Sequence, residues 1–166
     1  MIDSSQKDFF KKASEKILST GLRVASYDFN RPWGGFFVID ENQSQIFSNI
    51  YFDGLDISTL KISGKLSPKV LVVKPNCRLS WQYHHRRSET WRILEGPVGI
   101  IQSLTDKEGD LKEYNKGDTI ELKNEERHRL IGLDNWALVA EFWQHTHAKN
   151  PSNELDIIRV QDDFGR

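Results

Sequence analysis

Hydrophobic positions recur along this chain with two different periods. Near the start, Phe9, Phe10, Ala13, Ile17 and Leu18 fall three and four residues apart, the spacing of one helical face. Ser4 or Ser5 stands where it can cap that helix, and Gly21 where it can end it. Such a stripe predicts a helix that covers an open face of the element that follows. A shorter helix is predicted from about Ser44 to Phe52, with Ile46, Phe47, Ile50 and Tyr51 as its buried stripe and a stop near Gly54. From Lys69 onward the pattern becomes short runs rich in branched and aromatic residues: "KVLVV", "RLSWQYH", "TWRIL", "VGIIQSL", "DTIEL", "HRLIGL" and "ALVAEFW". Turn signals such as "KPN", "EGP", "NKGD" and "LDN" separate them. Many short strands with little helix between them predict a sandwich or small barrel. After Trp143 periodicity is lost through "QHTHAKNPSNE", and the closing "LDIIRVQDDFGR" is expected to pack on the barrel.

Composition narrows the class. A chain of 166 residues is most simply one domain with a real core. The formal net charge of -1 leaves no long-range field to attract nucleic acid or an anionic membrane. The N-terminus is amphipathic rather than continuously apolar, which argues against a signal peptide and a membrane span. Cys77 is alone, so neither an internal disulfide nor a thiolate metal cluster can form, and a cytoplasmic location is expected. The five tryptophans are expected mostly in core and interface packing, with one lining a ligand site.

The densest chemistry lies in "LSWQYHHRRSETWRILEG", Leu79 to Gly96. Alternation along a strand puts Ser80, Gln82 and His84 on one face and Leu79, Trp81 and Tyr83 on the other. A turn through His85, Arg86 and Arg87 brings Glu89 back beside the first face. Gln82, His84 and Glu89 can then converge as metal ligands, and a fourth must come from another hairpin, where His128 is well placed. Taken singly, His84 reads better as a hydrogen-bonded structural histidine; Gln82 is read as a ligand, with hydrogen bonding to a ligand as its alternative role. His85 is out of phase and faces away. His145 and His147 form an H-x-H pair in a Pro- and Asn-rich loop, where exposure is expected over ligation.

The spacing resembles that of the cupin barrels. Their first motif, H-x-H-x(3,4)-E-x(6)-G, appears as Q-x-H-x(4)-E-x(6)-G from Gln82 to Gly96, and Gly117 and His128 reproduce the second. Lys123, Glu125 and Gly132 replace the Pro, Gly and Asn of that second motif, so its turn is expected to adopt another conformation. One branch is closer still: "RPWGGF" (Arg31 to Phe36), "KPNCRLSWQYHHRRSETW" (Lys74 to Trp91), "ERHRL" (Glu126 to Leu130) and "DIIRVQDDFGR" (Asp156 to Arg166) resemble the type II phosphomannose isomerases. That branch usually has His at Arg86 and Gly at Asn76. The resemblance implies a mainly β fold: a double-stranded β-helix, or jelly-roll barrel, over residues 31–166, with the C-terminal segment packed on it and residues 1–30 as an N-terminal helical extension. The guanylyltransferase domain to which this cupin is often fused is not expected here, since no Gly-rich phosphate loop is found.

The implied activity is a metal-dependent aldose–ketose isomerisation through an enediolate, most simply mannose 6-phosphate to fructose 6-phosphate. Gln82, His84, Glu89 and His128 would hold one divalent ion, Zn first and Mn, Fe, Co or Ni as alternatives. Such an ion stabilises charge on vicinal oxygens. A phosphate needs a cationic clamp, for which Arg87, Arg159 and Lys69 match family positions and Arg78, Arg86 and Arg166 are further candidates. Glu141 is the nominated general base, with Lys69 and His145 as competitors. Alternatives are an isomerase or epimerase of another sugar phosphate, such as a heptose phosphate, and a non-catalytic sugar-binding cupin. A homodimer paired through sheet edges or swapped terminal segments is expected.

Overall fold

A computed structural model describes residues 3–62 and 64–166. Helix α1 (Ser4–Ser19) is followed by strands β1 (Val24–Arg31) and β2 (Gly34–Ile39), then by helix α2 (Ser44–Tyr51). Nine strands complete the chain: β3 (Lys69–Val73), β4 (Trp81–Tyr83), β5 (Arg87–Glu95), β6 (Val98–Ser103), β7 (Lys112–Tyr114), β8 (Thr119–Leu122), β9 (Arg127–Gly132), β10 (Ala137–His145) and β11 (Ile158–Gln161). They form a six-stranded sheet, ordered β1-β2-β3-β10-β5-β8, and a five-stranded sheet, ordered β11-β4-β9-β6-β7. Every pairing between the named strands is antiparallel. The expected double-sheeted barrel is therefore present, and its C-terminal segment is tied in as β11 through pairing with β4.

Period-two alternation decides what enters the barrel. On β3, Val70 and Val72 join an outer cluster with Phe10, Ile17, Phe37, Phe47 and Phe142, while Leu71 and Val73 join an inner one with Trp33, Trp91, Ile93, Leu130 and Val139. The outer cluster is where α1 and α2 pack, so β3 and β10 are buried on both faces and read as continuous apolar runs. Along the inner face, each central strand changes character at the same level. Leu71 gives way to Lys69, Val139 to Glu141, Trp91 to Glu89 and Arg87, and Leu130 to His128; all of these polar side chains are buried. One end of the barrel interior is thus apolar and the other polar.

Several local expectations are corrected. Asp3, not Ser4 or Ser5, caps α1, its carboxylate accepting the Gln6 backbone N–H at 2.8 Å. On α2 the buried residues are Ser44, Phe47 and Ser48, and Ile46 and Ile50 face solvent. The two serines can be buried because their hydroxyls donate to Glu41 O at 2.6 Å and Leu55 O at 2.6 Å. Strands β1 and β2 precede the predicted β region; as an edge strand, β1 has a mostly exposed, mixed sequence that hides its period. "RLSWQYH" yields only a three-residue strand, preceded by an isolated bridge between Arg78 and Ile131. Alternation therefore does not extend back to Leu79, which packs inward with the inner cluster instead of outward with Trp81.

Helix α1 is bound to the sheet through Phe10, which stacks on Phe29 at 4.1 Å and meets the edge of Phe37 at 6.3 Å. Because Phe10 is buried, Phe10→Ala is expected to cost about 3 kcal/mol, read as a lower urea midpoint at unchanged slope.

Candidate metal centre

Three side chains meet at the polar end of the barrel. His84 Nε2 lies 3.1 Å from Glu89 Oε1, and His128 Nε2 lies 3.6 Å from Glu89 Oε2. One ligand atom from each falls within 4.8 Å of the others, and all three residues are buried. Hydrogen bonds orient both rings. His84 Nδ1 is 2.7 Å from the Asp156 carbonyl and His128 Nδ1 is 3.2 Å from the Glu126 carbonyl. Each carbonyl requires N–H at Nδ1, which leaves the Nε2 lone pair turned inward. His128 Nε2 has no hydrogen-bond partner although it is buried. Burial pushes the His128 imidazole down to about 4, so it is neutral at pH 7, the state a metal needs. Burial opposes charge on Glu89, but His84 and the Arg87 guanidinium hold its carboxyl well below the usual range. An orphaned buried nitrogen, two open lone pairs and an ionised carboxylate fit a divalent cation.

Gln82 pairs with His128 across β4 and β9, which brings it to the same site. Its Oε1 accepts from the Ser80 hydroxyl at 2.5 Å, and its Nε2 lies 3.5 Å from His84 Nε2. It therefore turns nitrogen toward the centre; rotating the amide by half a turn would exchange the two atoms.

Glu125, at a glycine position of the second motif, and Asn76, ahead of the first, adopt left-handed backbones with φ of +63° and +57°. Glu125 holds this shape while its N–H donates to the His84 carbonyl at 3.0 Å. At Gly132 a Cβ would lie 2.1 Å from the Lys74 carbonyl oxygen, so the Asn of the motif has no room.

A solvent-open cavity of about 690 Å³ borders the triad and is lined by Gln82, Glu89, Glu141, Lys69, Arg159 and Arg166, among others. Glu141 is buried, with Trp91 Nε1 donating to Oε2 at 2.7 Å and Trp143 Nε1 to Oε1 at 2.9 Å. Burial, reinforced by the charge on Glu89, pushes the Glu141 carboxyl up to about 8. Trp33, Trp91 and Trp143 all face this cavity, where one tryptophan was expected.

The predicted cations separate. Arg159 and Arg166 line the cavity, as does Arg31, which sequence reasoning did not nominate. Arg78 is held instead in a two-bond pair with Asp163, each contact 2.7 Å. Arg87 reaches the cavity but is buried, donating to Glu89 Oε1 at 2.8 Å, Ser152 Oγ at 2.9 Å and Asn153 O at 3.1 Å, and pointing Nη2 at His84 Nε2 at 3.3 Å. Arg86 approaches Asp156 at 3.9 Å. Asp156 was missed: its carboxylate accepts the His85 and Arg86 backbone N–H groups, both at 3.0 Å, and the Ser152 hydroxyl at 2.6 Å. The signal for it was its place at the head of "DIIRVQDDFGR".

His145 is buried, contrary to expectation, while His147 is exposed. Its Nδ1 accepts the Ser152 N–H at 2.9 Å, so its Nε2–H donates to Ser67 Oγ, 3.1 Å away. It does not line the cavity. Burial, with Lys65 and Arg87 next, lowers it to about 4.

Comparison with known proteins agrees with this geometry. A family model described as the mannose-6-phosphate isomerase C-terminal region matches residues 45–162. The chain belongs to this family. The matched residues take in all of α2 but Ser44, every strand from β3 to β11 and the whole triad. Among curated proteins, the chain is 25% identical over 174 residues to the xanthan biosynthesis protein XanB of Xanthomonas campestris pv. campestris strain B100, covering 94% of this chain. It spans only 28% of that relative's length. Among solved structures, the capsular polysaccharide assembling protein CapF of Staphylococcus aureus superposes with a TM-score of 0.53 at 13% identity, over 85% of this chain and 34% of that one. The R92A mutant of Bacillus subtilis oxalate decarboxylase OxdC gives 0.56 at 12% identity, over 81% and 30%. These structural likenesses establish the cupin fold. No helix among the described residues is long and apolar enough to cross a membrane.

Two outcomes follow. Glu89→Gln and His128→Ala are each expected to weaken divalent-metal binding by more than about a hundredfold, with an unchanged far-ultraviolet circular dichroism spectrum; elemental analysis after dialysis reads the loss. For His145, the folded ring protonates less readily than the unfolded one. Its contribution to stability is thus complete above about 6.5 and is lost as pH falls from there toward about 4. Urea midpoints at pH 7 and pH 5 should differ less in His145→Gln than in the native chain.

Proposed function

We propose that this chain is a metal-dependent isomerase of a sugar phosphate, converting mannose 6-phosphate to fructose 6-phosphate. The observation that carries the reading is the pair of histidine Nε2 atoms gathered on Glu89, which lines the same cation-walled cavity as Glu141. The family match supplies the sugar class.

His84, Glu89 and His128 would hold the ion, with Gln82 as a fourth ligand through Oε1; Zn suits the set, and Mn, Fe, Co or Ni remain compatible. When bound, the ion supplies Lewis-acid stabilisation for negative charge developing on the sugar's two vicinal oxygens. Glu141 is the base that takes the proton from C2 and returns it to C1. Each of its oxygens accepts one indole N–H and keeps a second lone pair for the substrate. With the charge of Glu89 engaged by a cation, less repulsion reaches Glu141, and its carboxylate form gains. Lys69 is paired with Glu154 as an ammonium and cannot accept a proton, and both ring nitrogens of His145 are occupied. Arg159 receives the phosphate with Arg31 beside it, Arg166 is braced by two hydrogen bonds to Asp162, and Arg87 fixes Glu89. Trp33, Trp91 and Trp143 line the wall of the cavity that would receive the sugar. A homodimer belongs to this proposal, with the open edges of β1 and β11 available for it.

Incubation with mannose 6-phosphate in deuterated water is expected to place deuterium at C1 of fructose 6-phosphate and, on reversal, at C2 of the recovered mannose 6-phosphate, and chelated protein to place none. Glu141→Gln should retain metal but lose at least about a hundredfold in kcat. Full turnover by metal-free protein, or unchanged kcat in Glu141→Gln, would overturn the assignment.

A further inference from the structure

Lys69 is an unusual cation. Its side chain is only 7% exposed, and its ammonium sits 4.0 Å from the centre of the Trp143 ring and 5.1 Å from that of Phe36. Among the described residues its one hydrogen-bond acceptor is the Glu154 carboxylate, whose side chain is 57% exposed and also lines the cavity. A buried ammonium needs a partner, yet this partner comes from solvent.

The loop carrying Glu154 is fixed on both sides. Ser152 and Asp156 are buried and joined by the Ser152 hydroxyl at 2.6 Å. The Asp156 N–H donates to Asn153 O at 3.0 Å, the Leu155 N–H to Asn153 Oδ1 at 2.9 Å, and Arg87 to Asn153 O at 3.1 Å. Leu155, next to Glu154, is 90% exposed. Only the Glu154 side chain can therefore leave the ammonium without unmaking the loop, and it can do so by bond rotation into water.

We propose that Glu154 is a built-in competitor at an anion seat formed by Lys69: its carboxylate holds the ammonium while the cavity is empty and swings out when an anionic ligand arrives. The inference deepens the sugar-phosphate reading by naming which cation an entering anion must win. The chain thereby keeps a buried positive charge neutralised at all times, and a neutral sugar, unable to replace Glu154, gains nothing from Lys69. Arg159, exposed on β11 and with no side-chain hydrogen bond or ion pair to any described residue, would make the first contact at the mouth.

The test is calorimetric titration of metal-loaded protein with inorganic phosphate. Glu154→Gln, which removes the charge but keeps an amide oxygen as acceptor for Lys69, is expected to tighten phosphate about fivefold by removing the competing charge, with folding checked by the urea midpoint. Lys69→Met should weaken it about tenfold or more, and Glu154→Gln added to Lys69→Met should then have little further effect. Should Lys69→Met fold poorly, Lys69→Gln serves in its place. Phosphate affinity that is unchanged or weaker in Glu154→Gln would overturn the proposal, as would an undiminished Glu154 effect in the absence of Lys69 or phosphate binding by no variant. Because the readout is binding, the seat stands if phosphate behaves as expected while no sugar phosphate is isomerised, and fails alone if isomerisation occurs without the Glu154 effect.

Discussion

The buried carboxylate of Glu89 is the interaction on which this structure turns. An isolated carboxylate in a barrel interior would shed its charge, because desolvation costs several kcal/mol that only close partners return. Glu89 keeps its charge because the Arg87 guanidinium donates to its Oε1 at 2.8 Å, with His84 and His128 packed beside it. Those partners are themselves held by a second ring of contacts. Asp156 fixes His84 through its carbonyl and the His85–Arg86 turn through its carboxylate, and the Glu125 N–H fixes the His84 carbonyl. Removing any one member leaves a buried charge or lone pair without a partner, so the cluster is specified as a unit.

The same alternation that builds the core delivers these groups. Because β3, β5, β9 and β10 are packed on both faces or against the opposite sheet, a slip of one residue would send Lys69, Glu89, His128 and Glu141 outward and bring Val70, Thr90, Arg129 and Phe142 inward. Register is therefore fixed by the apolar end of the barrel, and the polar end inherits its geometry. Arg129 shows the other side of the arrangement. It is fully buried outside the inner cluster, where its guanidinium joins Leu79 O, Glu108 and Gln161 and so binds β11 and the loop after β6 to the sheet that carries His128.

Much of this was legible in the sequence, for a physical reason. Strands buried on both faces, such as "KVLVV" and "ALVAEFW", announce themselves, and the convergence of Gln82, His84, Glu89 and His128 is legible because strand alternation and two turns bring them to one place. What escaped depends on tertiary context. Edge strand β1 shows no clean period because solvent covers much of it, and α2 buries two serines whose hydroxyls find backbone acceptors that no local pattern reveals. Glu125, at a glycine position of the second motif, and Asn76 adopt left-handed backbones, at a cost of about 1 kcal/mol for a non-glycine residue. That strain is consistent with the Glu125 N–H being needed on His84.

The cations illustrate a constraint that composition hides. Arginines at positions 78, 87, 159 and 166 look equivalent in a sequence, yet a guanidinium has five donors, and what matters is how many remain free. Arg87 spends its donors on Glu89, Ser152, Asn153 and the edge of His84, with its flat face 3.6 Å from the centre of the Trp143 ring. Arg78 spends two on Asp163. A side chain so engaged can brace a site but cannot also follow a moving ligand without breaking what it braces. Recognition of an entering anion must then fall to cations whose partners are absent or exchangeable. Arg159 is of the first kind and Lys69, facing the exposed Glu154, of the second. Burial separates the two duties, with rigid arginine behind the ligand triad and replaceable contacts in front of it.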